Sequence, residues 1–178
     1  YALDPFGKTA LEYIKENGMS VAAVGKIEDI YNGKGVTEAV HIKNNMDGVD
    51  KTLEYMDKID NGLIFTNLVD FDMLYGHRND PKGYGKALED FDGRLNEIYS
   101  KLRDEDILII TADHGCDPTT ESTDHSREYI PILVYGKKVK GGTELGIRDS
   151  FTDIGKSVLD YLGIDNNLEG KSFINEII

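Results

Sequence analysis

Four short apolar runs, SVAAV at 20–24, LIFTNLV at 63–69, ILIIT at 107–111 and IPILVY at 130–135, alternate with segments whose apolar residues recur at helical spacing. That alternation limits the fold more than any other feature. Short Val- and Ile-rich runs suit strands buried on both faces. Helical segments between them can carry the chain back over a sheet, which is what parallel strands require of their connections. The pattern predicts an α/β fold, a largely parallel sheet flanked by helices. In such folds ligands collect beyond the carboxyl ends of the strands.

The periodicity predicts a helix over 8–17, with Ala10, Leu11 and Ile14 on its apolar face and Gly18 just past its end. A second covers 46–59, with Met46, Val49, Leu53, Met56 and Ile59 in line, and a third covers 84–103, with Leu88, Phe91, Leu95 and Ile98. A last helix is expected over 153–162, with Thr152 as its N-cap and Gly163 beyond it. The glycine-punctuated stretch 25–40 reads as a long loop with some helix, and 70–81 as a polar loop. Pro131 is tolerable at a strand start, where only one ladder donor is lost. The tail 164–178 ends in an apolar patch expected to dock back.

A chain of 178 residues fits one domain and buries enough surface to fold without disulfides. Its single cysteine, Cys116, permits no internal disulfide, so a reducing, cytoplasmic setting is expected. No apolar run approaches the roughly 18 residues of a membrane span, and the first residues, from Tyr1, lack the regions of a signal peptide. A formal charge of −13 repels nucleic acid and anionic membrane surfaces, so neither is an expected partner, and it favours cations.

The segment ILIITADHGCD, 107–117, ends a strand-like run abruptly in Asp113 and His114, followed by Gly115. Neighbours on a regular strand point to opposite faces, so both side chains reach one ion only where the strand has ended. Gly115 would permit that bend. His125 lies shortly downstream, and Asp72 and His77 form a second carboxylate and imidazole set after the run at 63–69. Carboxylate oxygen mixed with imidazole nitrogen suits Mn, Zn or Fe and accepts Mg. Five candidate ligands exceed the four of one tetrahedral ion, which points to two cations about 3.5 to 4 Å apart, a spacing that clamps a transferring phosphoryl group.

Asp70 competes with Asp72, since two residues separated by one in an extended segment share a face. Asp117 and Asp124 read as loop caps or supporting partners, Cys116 as a packed small residue and His41 as solvated. Lys26, after the first strand, could reach a phosphate oxygen as a point charge.

The stretches 67–92 (NLVDFDMLYGHRNDPKGYGKALEDFD) and 111–136 (TADHGCDPTTESTDHSREYIPILVYG) closely resemble the phosphopentomutase family of the alkaline phosphatase superfamily. The likeness extends to PFGKTALEYIKENG, to VGKIEDIYNGKGVTEAVHIKNNMDG and to FTDIGKSVLDYLG, so it covers nearly the whole chain. TADHG alone would mark only the superfamily, which also holds cofactor-independent phosphoglycerate mutases. The resemblance implies an alkaline-phosphatase-like core, of which residues 1–178 are the C-terminal part. It implies that Asp72, His77 and His125 hold one manganese ion (Mn2+), and that Asp113 and His114 hold the other. It further implies a pentose phosphate substrate and interconversion of (deoxy)ribose 1-phosphate and 5-phosphate. The phosphothreonine nucleophile has no matching position here, nor has one more metal-binding aspartate, so no catalytic nucleophile is expected in this chain. The start of the core and an inserted cap domain are expected to lie outside it, and the missing N-terminal portion of the same protein is an expected partner. Another phosphoryl-transfer enzyme of the superfamily, or a catalytically silent metal-binding fragment, remain the alternatives.

Overall fold

A computed structural model describes residues 3–178; Tyr1 and Ala2, which opened the reading of the N-terminus, lie outside the described residues. Three parallel strands, β1 (Ser20–Val24), β2 (Glu38–Val40) and β3 (Gly62–Thr66), form a sheet in the order β2-β1-β3. The central strand carries the core: Val21, Ala22, Ala23 and Val24 are all 0% exposed. Alternation sends Val21 and Ala23 to one face, against Leu11, Ile14, Ile27, Leu159 and Ile164. Ala22 and Val24 face the other way, onto Tyr55 and Ile59. With apolar partners on both sides, the strand needs small and β-branched side chains throughout, which is why it reads as an unbroken apolar run.

Helices supply those partners. α1 (Ala10–Glu16) starts in a capping box in which the Thr9 hydroxyl accepts from the Glu12 amide while the Glu12 carboxylate accepts from the Thr9 amide. α3 (Asn45–Lys58) lies on the opposite face, and α4 (Pro81–Lys101) packs on α3. A short α2 (Ile27–Ile30) follows β1, and β2 lies inside the stretch read from sequence as a loop. Its three residues, EAV, are too few to show a period, and Thr37 just before it bonds both the amide and the carbonyl of Val21 through its hydroxyl.

The parallel sheet flanked by helices is as expected; the last two strands differ. β4 (Leu108–Ile110) and β5 (Leu133–Tyr135) pair antiparallel as a separate ribbon. No helix lies between them to carry the chain back over a sheet, so the chain reverses instead. The tail docks on this ribbon as anticipated: α6 (Ile174–Ile177) and Phe173 bury Phe173, Ile174 and Ile177 against Ile107, Ile109, Ile132 and Val134.

α5 (Thr152–Tyr161) corrects a smaller expectation. Thr152 is its first helical residue, not its cap; the hydroxyl meets that of Ser150 at 2.7 Å, and the Ser150 hydroxyl accepts from the Thr152 amide at 3.2 Å. Among the described residues no helix is long and apolar enough to cross a membrane.

Candidate metal centre

The polar loop expected over 70–81 is helical at its start. After β3 the chain winds through a π-helical turn at Phe71–Tyr75 and a 3-10 turn at Gly76–Arg78. Asn79, in the left-handed conformation at φ 49°, ends this winding, and α4 begins at Pro81 with the Asp80 carboxylate accepting from the Gly83 amide. π turns are uncommon and cluster at functional sites.

That winding separates the two aspartates the sequence left in competition. Asp70 and Asp72 do not share a face. Asp70 accepts from the Asn45 amide at 2.8 Å and gives its own amide to the Asn45 side chain at 3.0 Å, which pins the start of α3. Asp72 points instead toward the histidines: its Oδ1 lies 3.2 Å from His77 Nε2 and 3.3 Å from His125 Nε2.

His114 and His125 stack with ring centroids 3.6 Å apart, and His77 and His125 with centroids 4.9 Å apart. Asp72, His114 and His125 each offer a ligand atom within 4.8 Å of the others. Ligands sharing one ion at bond lengths near 2.1 Å stand about 3 to 4.2 Å apart, so this group is close to closing on a cation. His77 joins through Asp72. Asp113 is the outermost of the five expected ligands, with a side chain 64% exposed and Oδ1 3.7 Å from His114 Nε2. The two expected ligand sets are therefore interleaved in space, with His114 standing against His125 and Asp72.

Two observations test whether these residues fit a metal. Asp72 Oδ1 is buried and has no hydrogen bond, although two imidazole nitrogens face it. The far ring nitrogens of two histidines are occupied elsewhere: His77 Nδ1 by the carbonyl of Thr123, and His114 Nδ1 by that of Gly115 at 3.0 Å. A carbonyl only accepts, so Nδ1 carries the proton, and in a neutral ring Nε2 is left with a lone pair. For His77 that lone pair meets the buried Asp72 oxygen at 3.2 Å, a contact that repels unless a cation lies between them. This backbone-fixed tautomer is the common support of metal-ligating histidines. The donor set fits a divalent ion.

Sequence reading did not identify the tethers that bring positions 72–77, 114 and 125 together. Gly115 and Ser126 form an isolated antiparallel bridge, reinforced where the Ser126 hydroxyl accepts from the Asp117 amide at 2.8 Å. Asn79 gives its side-chain amide to the Thr120 carbonyl at 2.9 Å, joining the 3-10 turn to the loop 117–124. The turn signal in Asn79-Asp80-Pro81 was available, but not its partner across the fold.

Gly115 matters for approach more than for bend. A Cβ there would lie 2.5 Å from the Ser126 carbonyl oxygen and 2.6 Å from the Glu128 amide. Gly76 likewise admits the Cys116 sulfur, which would stand 2.3 Å from a Cβ. Burial, then the neighbouring Asp72 charge, push the Cys116 thiol up, so it stays protonated and packs as a neutral side chain. Asp117 caps its own loop, accepting from the amide and hydroxyl of Thr119, and His41 is solvated, 73% exposed. Lys26 rests on Met73, with its Nζ 3.1 Å from the sulfur.

Comparison with known proteins shows what the chain is similar to. The chain is 75% identical over 173 residues to a phosphopentomutase of Clostridium acetobutylicum, covering 97% of this chain and 44% of that protein. It is 63% identical over 178 residues to a phosphopentomutase of Acetivibrio thermocellus, covering 100% of this chain and 46% of that one. The chain thus spans less than half the length of the curated relatives it matches. In fold it resembles the PH0037 protein of Pyrococcus horikoshii, with TM-score 0.64 and 19% identity over 88% of this chain and 52% of the other. The model of the metalloenzyme superfamily matches residues 7–166, and the chain belongs to that family.

Proposed function

We propose that this chain is the metal-bearing part of a phosphopentomutase, which interconverts ribose 1-phosphate and ribose 5-phosphate or their deoxy forms. One observation carries the reading: a buried Asp72 oxygen without a hydrogen bond, faced by His125 and by His77, whose far nitrogen is held by the backbone, in a chain 75% identical to a phosphopentomutase. In this reading Asp72, His77 and His125 hold one manganese ion and Asp113 and His114 the other. Bound there, the cations supply neutralisation of the charge on a phosphoryl group in transfer.

The chain's own residues orient that chemistry. Thr123 and Gly115 fix the His77 and His114 rings through their carbonyls, and the Gly115–Ser126 bridge keeps His125 beside His114. The transferring hydroxyl is a threonine outside this chain. Its phosphoryl group passes to the free hydroxyl of the sugar phosphate, giving a bisphosphate, and the other phosphoryl group of that bisphosphate returns to the threonine. The substrate is a pentose phosphate, and the rest of the same protein is the partner that completes the site.

The test is the full-length protein with manganese and ribose 5-phosphate. Formation of ribose 1-phosphate is expected; turnover of glycerate phosphates in its place would overturn the reading in favour of a phosphoglycerate mutase. Asp72→Asn should abolish detectable turnover and weaken manganese binding, measured by calorimetry, by about 100-fold or more.

A further inference from the structure

Two cations can hold the phosphoryl group that moves, but a substrate with a second anionic group must be oriented by something else, in a protein whose own chain carries −13. Arg127 is placed to do this. Among the described residues it is the one arginine with neither a hydrogen bond nor a carboxylate in ion-pair reach of its guanidinium. Arg78 donates to the His77 carbonyl, Arg94 to Asp50 and Glu97, Arg103 to Asp106, and Arg148 to Asp153 and Glu176. A guanidinium is a planar fork of five donors suited to carboxylate or phosphate, and leaving it unpaired beside an acidic site leaves that capacity to a ligand.

Its surroundings are those of a ligand wall. Arg127 lines a cleft of about 340 Å³ together with Asp113, His114, Tyr129 and Phe151. The cleft therefore begins at the metal centre itself. Tyr129 is 86% exposed and Phe151 61%, two aromatic side chains left in solvent along the same cleft. Phe151 comes from the start of α5, distant in sequence from the strand-end loop, so two separate elements build the cleft. Aromatic side chains beside a guanidinium suit a sugar ring carrying an anion.

We infer that Arg127 anchors the phosphate that is not being transferred, bidentately, while Tyr129 and Phe151 border the sugar ring of a phosphorylated sugar. This rests on the mutase reading for the identity of the sugar, but not for the anion site. The guanidinium touches no reacting atom; it sets where the far end of the substrate lies, and so which end faces the cations.

The experiment uses the full-length, manganese-loaded protein and the variants Arg127→Gln and Arg127→Lys. Arg127→Gln should raise KM for ribose 5-phosphate about 10- to 100-fold, the range of a lost charge-assisted hydrogen bond, with kcat changed less than about threefold. Arg127→Lys should recover part of the loss, keeping the charge without the fork. Manganese affinity by calorimetry should be unchanged in both. A second measurement needs no turnover: inorganic phosphate titrated into the metal-free protein should shift the Arg127 side-chain NMR resonance saturably. A protein without mutase activity that still shows the shift loses the pentose reading and keeps the anion site. An unmoved resonance, an unchanged KM in Arg127→Gln, or loss of manganese binding in both variants would overturn the inference, the last by showing that Arg127 only holds the loop.

Discussion

The parallel sheet and the strand-end loops are built by different means. In the sheet, β1 is bonded along both edges and its Val21 to Val24 are wholly buried between helices. In the span 111–150, the described residues hold only β5 and an isolated bridge in extended pairing, and Tyr129, Leu133, Tyr135 and Ile147 stand exposed. All but two of the five expected ligands, Asp113, His114 and His125, lie in that second region, held by a handful of tethers. Stability and ligand geometry therefore reside in different places, as is usual where a rigid scaffold displays functional loops.

Two glycines can break that division. Gly62 opens β3 at φ +140°, and a Cβ there would lie 2.0 Å from the Ser20 carbonyl oxygen. Gly62→Ala should lower unfolding free energy by about 3 kcal/mol, from backbone strain together with a clash that only strand separation relieves. Denaturant titration measures it, and manganese affinity should change little at concentrations where the protein remains folded. Gly115→Ala should do the opposite, weakening manganese binding roughly 10- to 100-fold by parting His114 from His125, at a cost of about 1 kcal/mol in stability. If Gly115→Ala proved as destabilising as Gly62→Ala with metal affinity intact, the loops would belong to the scaffold after all.

The same contrast explains what could be read in advance. β1, α1, α3 and the docking of the tail were legible because burial on a regular element leaves a period in the sequence. The grouping of Asp72, His114 and His125 was foreshadowed too, because several carboxylates and imidazoles fall together at strand ends where a lone one would mean little. What could not be read was contact between segments. Asp70 and Asp72 looked equivalent until a π-helical turn sent one to Asn45 and the other to the histidines. Gly115 looked like a hinge, but its constraint is the approach of Ser126 and Glu128. β2 was hidden by its length, and the antiparallel sense of β4 and β5 depends on what 111–132 lacks.

Asp153 marks the seam between the two regions. It opens α5 on the scaffold side, its side chain is 4% exposed, and it accepts from Arg148 at 3.0 Å and from the Lys171 amide at 2.8 Å. Burial alone would push its carboxyl up, but the Lys171 amide and the Arg148 guanidinium together hold it below the usual range. Its folded pKa is depressed, so its contribution is fully present above the unfolded value of about 3.9 and is lost as pH falls through the folded value. Asp153→Asn should cost about 2 kcal/mol near neutral pH, since it removes the buried charge facing Arg148 and leaves the guanidinium to Glu176 and the Lys171 carbonyl, and should flatten the acid limb of the stability curve below about pH 4. Equal slopes for variant and parent in that window would mean that the seam is not carried by this pair.

The smallest effect separates two threonines within the scaffold. Thr152 stands where a cap was expected from sequence, yet it lies inside α5 with its hydroxyl turned to Ser150, while Thr9 closes a reciprocal box with Glu12 at the start of α1. Thr9→Ala should therefore lower stability by about 1 kcal/mol, the ordinary value of an N-cap. Thr152→Ala should change it by less than about 0.5 kcal/mol, since the hydroxyl it removes caps no helical amide. Neither should move manganese affinity, because the Thr9 hydroxyl is engaged with Glu12 and the Thr152 hydroxyl with Ser150, away from the expected ligands. A Thr152→Ala loss equal to that of Thr9→Ala would show that the start of α5 is organised by its hydroxyl, and would carry the seam one residue upstream of Asp153.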